Sequence, residues 1–367
     1  MGTKELHIGI VGAGSFAAFA AGAFLKVRGI KLLAINDLDR SAAEQISRLY
    51  DLKVYDGLEE MLANEKIDLI YIATPPFLHY EQSKMALLAG KHVICEKPAA
   101  LKTSEAEELA WLARSRQRLY VVNLMQRYNP LYKIVKNIIE EKILGNFLHG
   151  FFENYASDEN LKMDHWFWDE PKSGGIFIEH GVHFFDLFSG WLGEGKIISA
   201  LQLHNSDSTK KIIDRVQATV LYKDATVNFY HGFNQPTILD RQEMRLQFEL
   251  GEISMYEWVP VRMKFHGLLQ KNHLKRLQEI MGPVSIIHHQ MPKERYNELV
   301  FEDYISIEYE NNLGKQNLYQ KMIASMILDQ WDWIKNPEHT RVIDDNNAIQ
   351  SLRTAEDAKS LAQNFTY

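Results

Sequence analysis

A lysine and a histidine in this sequence have the side-chain chemistry that oxidation of an alcohol requires. Lys97 stands in the triplet Glu96-Lys97-Pro98, and His183 follows Glu179 by four residues. Removal of a hydride from a secondary alcohol needs a base for the hydroxyl proton and a positive group beside the developing alkoxide. An imidazole titrates near neutral pH, and a lysine can lower its pKa by desolvation or polarise the oxygen as a cation. Lys97 and His183 therefore meet both needs, and the sequence leaves open which of them accepts the proton.

The neighbours of Lys97 also bear on its role. We expect Glu96 to orient Lys97, and Pro98 fixes the backbone beyond it by locking φ. The alternative is a surface ion pair ahead of a loop proline, which would do no chemistry. Cys95 is a further candidate nucleophile, but nothing beside it in the sequence favours a thiolate, and a buried, packed thiol is the better interpretation.

A glycine-rich segment near the N-terminus predicts a strand, a tight turn and a helix. The apolar run His7–Val11 leads into the segment 12–17, where Gly12, Gly14 and Ala17 occupy the small-residue positions of a dinucleotide-binding turn. Backbone N–H groups at the helix start, at Ser15 and Phe16, would face the pyrophosphate. A secretory signal peptide is the alternative for this uncharged stretch, but the glycines interrupt it.

An acidic residue stands where a ribose-binding group belongs. A second predicted strand, Lys31–Ile35, ends at Asn36-Asp37, and Asp37 lies 23 residues beyond Gly14. Asp37 would accept a hydrogen bond from the ribose 2′-hydroxyl and repel a 2′-phosphate, and Leu38 offers no compensating positive charge. The sequence therefore predicts NAD as the cofactor, with NADP less favoured.

Strand and helix patterns alternate through the first third of the chain. Near-continuous apolar strands separated by helices are typical of a parallel sheet covered on both faces, wound in the doubly wound Rossmann manner. The predicted strands that follow are Ile67–Ala73, His92–Cys95 and Leu119–Leu124, and the helices are Ser41–Tyr50, Glu81–Leu88 and a segment from a Ser104/Glu107 capping box to about Arg116.

The carboxyl ends of these strands carry most of the polar residues of interest. Doubly wound sheets bind their ligands at this edge, so we expect the side chains there to converge on one crevice. A helix capped by Asn129, with Pro130 in its first turn and Gly145 at its end, would follow as a bridge. The residues at the strand ends are Asp37, Thr74, Pro75, His79, Glu96, Lys97, Gln126 and Arg127.

From Phe147 onward the pattern has a period of two, which indicates a mainly antiparallel sheet with one polar face. One helix, after Gly175, interrupts these strands and carries Glu179, His183 and Asp186. The fold class is therefore α/β: an N-terminal Rossmann sheet plus a C-terminal α+β domain with an open, mainly antiparallel sheet. We place the dinucleotide-binding domain at residues 1–125 and the substrate-binding and oligomerisation domain at 126–367, with a C-terminal helix that can pack back toward the first domain.

Composition narrows the class of partner. The 367 residues include 41 basic and 48 acidic side chains, for a net charge of −7. This charge opposes nonspecific attraction to nucleic acid or anionic membrane, so we expect a small-molecule partner. One cysteine cannot form an intrachain disulfide, and a reducing cytoplasm fits best. A basic stretch at 260–298 is either a solvated face or a contact for an acidic partner; it contains Arg262, Lys264, Lys271, Lys275, Arg276, Lys293 and Arg295.

Several motifs, taken in their order and spacing, point to one protein family. They are the E-K-P triplet, the Q-R-Y-N-P segment at 126–130, the Trp-rich stretch at Trp166 and Trp168, and the Glu179–Asp186 helix. Together they resemble those of the Gfo/Idh/MocA oxidoreductase family. The resemblance spans nearly the whole chain. It implies NAD or NADP as cofactor, a sugar, cyclitol or related polyol as substrate, and an open sheet that supports a homodimer or homotetramer. An NAD-dependent glycosidase that oxidises its sugar transiently and a noncatalytic NAD-binding sensor remain as alternatives.

Individual residues follow from the same resemblance. His79 matches a family position near the cofactor, although a histidine that caps a helix would occupy the same place. Glu179 stands where the family usually has aspartate and could still bind a substrate hydroxyl from farther out. Trp166 would stack on a sugar face or pack in the core. We expect no metal, because His180, His183 and Asp186 lie three residues apart on a helix and project imperfectly together.

The predicted site falls into three overlapping sets. The catalytic set is Lys97, His183 and Glu179; the cofactor-binding set is Gly12, Gly14, Ser15, Phe16, Ala17, Asp37, Thr74, Pro75, His79, Glu96, Lys97 and Gln126; and the substrate-binding set is Lys97, Arg127, Trp166, Glu179 and His183.

Overall fold

Short buried strands and connecting helices alternate through the first 128 residues of the computed structural model. The structure describes residues 5–159, 161–205, 212–291 and 301–365. The elements of this part are β1 (Leu6–Val11), α1 (Ser15–Phe24), β2 (Ile30–Asn36), α2 (Arg40–Tyr50), β3 (Lys53–Tyr55), α3 (Leu58–Leu62), β4 (Leu69–Ile72), α4 (His79–Leu88), β5 (His92–Cys95), α5 (Thr103–Ser115) and β6 (Tyr120–Val122).

These six strands form one parallel sheet in the order β3-β2-β1-β4-β5-β6. This is the strand order of the dinucleotide-binding doubly wound fold. All four residues of β4 are buried, because helices cover both faces of the sheet. The predicted Rossmann sheet is therefore confirmed, whereas the short elements β3 and α3 are not among the predicted elements.

The remaining elements form a second, larger sheet and several helices. They are α6 (Pro130–Glu140), β7 (Phe147–Ser157), α7 (Glu170–Ser173), a π-helical segment (Phe177–Gly181) that leads into α8 (Val182–Leu192), β8 (Lys196–His204), β9 (Ile213–Tyr222), β10 (Ala225–Gln235), β11 (Arg241–Phe248), β12 (Gly251–Tyr256), β13 (Arg262–Leu269), α9 (His273–Met281), β14 (Ile286–His288), β15 (Asp303–Glu310), α10 (Gly314–Lys335), α11 (Asp345–Leu361) and β16 (Gln363–Phe365).

The second sheet has ten strands in the order β14-β15-β13-β12-β11-β7-β10-β9-β8-β16. Its neighbours are antiparallel except for the parallel pairs β7/β10 and β8/β16. The alternation along β11 buries Met244, Leu246 and Phe248 on one face, as a period of two requires. The predicted open, mainly antiparallel sheet is confirmed.

Each sheet belongs to a separate compact unit of the chain. Among the described residues, the first unit contains those up to Tyr128 together with Asp164–Asp186 and Tyr319–Glu356. The second contains Asn129–Met163, Leu187–Leu318 and the residues from Asp357 onward. The sequence boundary between residues 125 and 126 stays a prediction.

Two predicted helix ends are wrong. Helix α5 begins at Thr103 after Lys102, without the Ser104/Glu107 capping box, because the Glu356 carboxylate accepts the Thr103 N–H at 2.8 Å. Helix α6 is capped by Asn129 as predicted, but it ends at Glu140 rather than at Gly145. A distant side chain thus replaces the local cap of α5.

The basic stretch is matched by acidic neighbours where the structure describes it. Arg262 lies 3.3 Å from Glu257, and the Arg276 guanidinium lies 2.6 Å from Glu141. Lys271 and Lys275 are exposed, so the described part of this stretch is a solvated, ion-paired face. Lys293 and Arg295 lie outside the described residues. No helix in the described ranges is both long and apolar enough to cross a bilayer.

A buried histidine makes stability depend on pH. His231 on β10 is fully buried, with its ring 5.3 Å from that of Phe152, and burial lowers its pKa to about 3 from 6.5. Below pH 6.5 the unfolded chain binds a proton that the folded chain refuses, so the free energy of unfolding falls as the pH falls.

We expect this one group to lower the free energy of unfolding by about 2 kcal/mol between pH 8 and pH 5. Denaturant unfolding of the His231→Phe variant should show a weaker pH dependence over that interval, whatever its absolute stability. His288→Phe, which removes an exposed imidazole, controls for the loss of a histidine. An unchanged pH slope in His231→Phe would contradict the assignment.

Candidate functional site

The turn after β1 leaves room for a ligand to approach the backbone. Gly12 has φ +100°, and a Cβ there would lie 2.6 Å from the carbonyl oxygen of Ala73, so only glycine fits. A Cβ at Gly14 would meet nothing within 4 Å. Gly14 caps α1 without a side-chain hydrogen bond, and the first turn of α1 has no acidic residue. The backbone N–H groups at Ser15, Phe16 and Ala17 therefore form a positive helix end that fits a pyrophosphate.

Asp37 lies beside this turn. Its carboxylate accepts the backbone N–H of Ala13 at 2.6 Å and that of Asp39 at 2.7 Å. The nearest basic side chain in sequence, Arg40, pairs with Glu44 and Asp56. The turn and the predicted ribose-binding acid are thus brought together, while Arg40 is held by carboxylates.

His79 joins the loops that follow β4 and β5. It is fully buried, and its Nδ1 and Nε2 lie 2.7 Å from the carbonyl oxygens of Pro98 and Thr74, respectively. Burial lowers the pKa of His79, and the two carbonyl contacts oppose that shift. The Thr74 hydroxyl donates to Gln82 at 2.6 Å, and Pro75 precedes a short 3₁₀ turn. Through these two contacts His79 links the loop after β4 to the loop after β5.

Glu96 holds the backbone of Lys97 from inside the sheet. Its carboxylate accepts hydrogen bonds from the Tyr71 hydroxyl at 2.5 Å and the Asn123 amide at 2.8 Å. Burial raises the pKa of Glu96, while these donors, the charge of Lys97 and the Lys97 backbone N–H oppose the shift. The peptide bond between Lys97 and Pro98 is cis. Glu96 thus interacts with both the main chain and the charge of Lys97.

The ammonium group of Lys97 is bound by Glu179. Lys97 Nζ donates to the Glu179 carbonyl oxygen at 2.9 Å and also to its Oε1. Both side chains are largely buried, at 20% and 10% exposure. Glu179 lies in the π-helical segment, and such segments occur frequently at functional sites. The structure therefore brings two predicted catalytic residues into one ion pair.

His183 follows in the first turn of α8. It is buried, and its pKa is lowered well below the ordinary value, mainly by burial and further by the charge of Lys97. Burial of an imidazole disfavours its cationic form. The ring is therefore neutral at neutral pH, which is the form that can accept a proton.

Arg127 is held by Asp186. The guanidinium donates Nε to Oδ2 at 2.9 Å and Nη2 to Oδ1 at 2.7 Å, a bidentate pair. Burial raises the pKa of Asp186 to about 6, and Arg127 opposes this shift. The predicted substrate contact of Arg127 thus has a carboxylate partner, and the preceding residue, Gln126, is buried.

Other predicted residues lie around this core. Trp166 opens a short turn, Trp166–Trp168, and is half-buried beside Phe167. Cys95 is buried, and burial raises its pKa, so its thiol stays protonated. In the part of the chain that the structure describes, no three His, Cys, Asp or Glu side chains cluster as metal ligands would.

Sequence reasoning missed Tyr71 and Asn123, the two donors to Glu96. Asn123 directly follows β6, and a polar residue at that edge of a parallel sheet is a usable signal. Tyr71 lies within an apolar strand and gives none.

The chain matches two family descriptions. Residues 6–124 match "Oxidoreductase family, NAD-binding Rossmann fold", and residues 132–254 match "GFO/IDH/MocA C-terminal domain". An uncharacterised oxidoreductase of Synechocystis sp. is 32% identical over 202 residues, 54% of each chain. A D-glucoside 3-dehydrogenase of Escherichia coli is 27% identical over 217 residues, 58% of this chain and 60% of that protein. The matches thus span somewhat over half the length of these relatives.

A solved structure has the same fold. KijD10, a 3-ketoreductase from Actinomadura kijaniata in complex with NADP, superposes with a TM-score of 0.74 at 17% identity, over 99% of this chain and 100% of that one. The two family matches together take in nearly all of the first predicted domain and about half of the second. This chain belongs to the Gfo/Idh/MocA oxidoreductase family.

Proposed function

We propose that this protein transfers a hydride between a nicotinamide cofactor and a hydroxyl or carbonyl carbon of a sugar, cyclitol or related polyol. The observation that carries the proposal is the Lys97 ammonium held by Glu179, with a buried histidine, His183, whose pKa is lowered by burial and further by the Lys97 charge. Family membership and the similarity to a D-glucoside 3-dehydrogenase support it.

The roles follow from the surroundings of each group. A bound nicotinamide would supply the hydride acceptor. His183 is neutral and can take the hydroxyl proton, whereas Lys97, paired with a carboxylate, serves as the positive group beside the developing alkoxide. Glu179 then fixes Lys97 rather than binding substrate directly. In this assignment His183 is the group that accepts the hydroxyl proton.

The cofactor proposal is NAD. The Asp37 carboxylate beside the glycine-rich turn disfavours a 2′-phosphate. The next basic side chain along the chain, Arg40, pairs with Glu44 and Asp56. We also propose a homodimer or homotetramer built through the ten-stranded sheet, since an open sheet face must be solvated or paired. A cytoplasmic location fits a chain with one cysteine.

The substrate proposal is an uncharged sugar or polyol. Both cations that we assign to the site already have carboxylate partners, Glu179 for Lys97 and Asp186 for Arg127. A phosphate or carboxylate on the substrate would have to displace one of these partners or lie against it. Like charges placed together in a binding site cost several kcal/mol.

The catalytic assignment predicts a loss of hydride transfer. Lys97→Ala and His183→Ala should each slow single-turnover reduction of bound NAD by about 100-fold or more, the usual range for acid–base groups. Cofactor affinity, measured by fluorescence titration, should change little because the glycine-rich turn is untouched. Lys102→Ala, at an exposed lysine, is the control. Unmodified rates in both site variants would refute the roles.

The cofactor assignment predicts a shift in preference. Asp37→Asn keeps an oxygen to accept the Ala13 N–H but loses the charge, so the ratio of NADP to NAD dissociation constants should fall about tenfold. Asp51→Asn removes an exposed carboxylate from the end of α2 and should leave the ratio unchanged. Tighter binding of NADP than of NAD by the unmodified protein would overturn the proposal.

The substrate assignment predicts selection against charge. With NAD, methyl β-D-glucoside should give kcat/KM at least about tenfold above that of glucose 6-phosphate. The Glu179→Gln variant should bring the kcat/KM values of the two substrates closer together, because Lys97 loses its anionic partner. A dehydrogenase must accumulate reduced nicotinamide in this assay. Cleavage of the glucoside without net reduction of NAD would indicate a glycosidase. NAD binding without turnover of any polyol would indicate a sensor.

A further inference from the structure

A cavity lies at the amino-terminal edge of the parallel sheet in the first unit. Its volume is about 570 Å³, within the range that small-molecule sites have. The first residues of β5 and β6, His92 and Tyr120, line it. Glu96 and Lys97 follow the other end of β5, so the cavity is separate from the candidate catalytic site.

Positive charge exceeds negative charge around this cavity. Arg114, Arg118 and Arg341 line it together with one carboxylate, Asp345. The ends of α5 and α10 each contribute about −0.5 of an elementary charge, and the start of α11 contributes about +0.5. The local charge remains about +1.5 after these opposing terms, which favours an anionic ligand.

The guanidinium groups are already oriented. Arg114 donates to Asp345 at 2.5 Å, Arg118 Nε to the Gly90 carbonyl oxygen at 2.5 Å, and Arg341 to the Gln330 side chain at 3.2 Å. Each guanidinium has five N–H donors, and these contacts use only part of that set. Arg341, which is largely buried, also lies 3.9 Å from Asp345. A ligand would therefore meet donors that are partly oriented beforehand, which lowers the entropy lost on binding.

Much of the rest of the lining is apolar or aromatic. The Arg341 guanidinium lies over the Trp333 indole, 4.7 Å from its centroid, and Leu119 and Ile334 add aliphatic surface. An inorganic anion alone would leave this surface unused. The lining therefore matches a molecule that joins an anionic group to an apolar ring.

We propose that this cavity binds a small organic anion, a carboxylate or phosphate carried on an apolar ring, at a site separate from the cofactor and the sugar. Guanidinium groups form bidentate hydrogen bonds with both kinds of oxyanion. The proposal does not depend on the oxidoreductase assignment, because it concerns binding at the opposite edge of the sheet.

Isothermal titration of the whole protein with phenyl phosphate and with phenylacetate tests this proposal and distinguishes the two anions. Saturating NAD is added to occupy the glycine-rich turn, so that the turn does not compete with the cavity for the added anion. At least one ring-bearing anion should bind about tenfold more tightly than either control compound. Inorganic phosphate carries the anionic group without the ring, and benzyl alcohol carries the ring without the charge. No such difference for either anion would overturn the proposal.

A pair of variants locates the binding. Gln117 lines the cavity and is exposed, whereas Ser115 is exposed and outside the lining. Gln117→Glu should weaken binding about tenfold, and Ser115→Glu, with the same added charge, should leave it nearly unchanged. Circular dichroism melts check that both variants fold. Equal effects of the two substitutions, or none from Gln117→Glu, would overturn the location.

Discussion

The pairing of Lys97 with Glu179 connects two stretches of chain that are 82 residues apart. One stretch follows β5 of the parallel sheet, and the other is the π-helical segment before α8. A buried ion pair stabilises its surroundings only when hydrogen bonds complete its geometry, and removal of one partner leaves an uncompensated charge. The second hydrogen bond, from Lys97 to the Glu179 carbonyl oxygen, meets that condition. The position of the ammonium group therefore depends on both stretches at once.

The same segment is fixed a second time by Arg127 and Asp186. Both cations come from the ends of the parallel strands, and both anions come from residues 177–192. Two pairs of opposite charge thus set the segment against the sheet edge. His183 lies between the two acids in sequence, so its ring is carried by a segment that is anchored on either side.

Features set by local rules could be predicted from the sequence. Gly12 adopts a backbone angle that glycine tolerates, and Asp37 directly follows a strand whose apolar pattern is visible without a structure. The partners of charged groups could not be predicted in this way. The substrate contact of Glu179 stays a prediction, and no pattern in the sequence indicates that its carboxylate also binds Lys97. The start of α5 depends on Glu356, which lies 253 residues away from Thr103, and a capping pattern in the sequence gives no sign of such a partner.

The π-helical segment has a consequence for how the site can change in length. A π turn holds one more residue than the α turn it replaces, and each residue of an α-helix rotates the chain by roughly 100°. Loss of one codon within Phe177–Gly181 would restore an α turn and leave the helix on either side near its present orientation, because the π turn accommodates its extra residue. Most point substitutions here keep the spacing of Glu179 and His183, whereas a single deletion between them shortens it by one residue. Insertions and deletions in this segment are therefore a route by which related chains could gain or lose the pairing of an acid with a histidine.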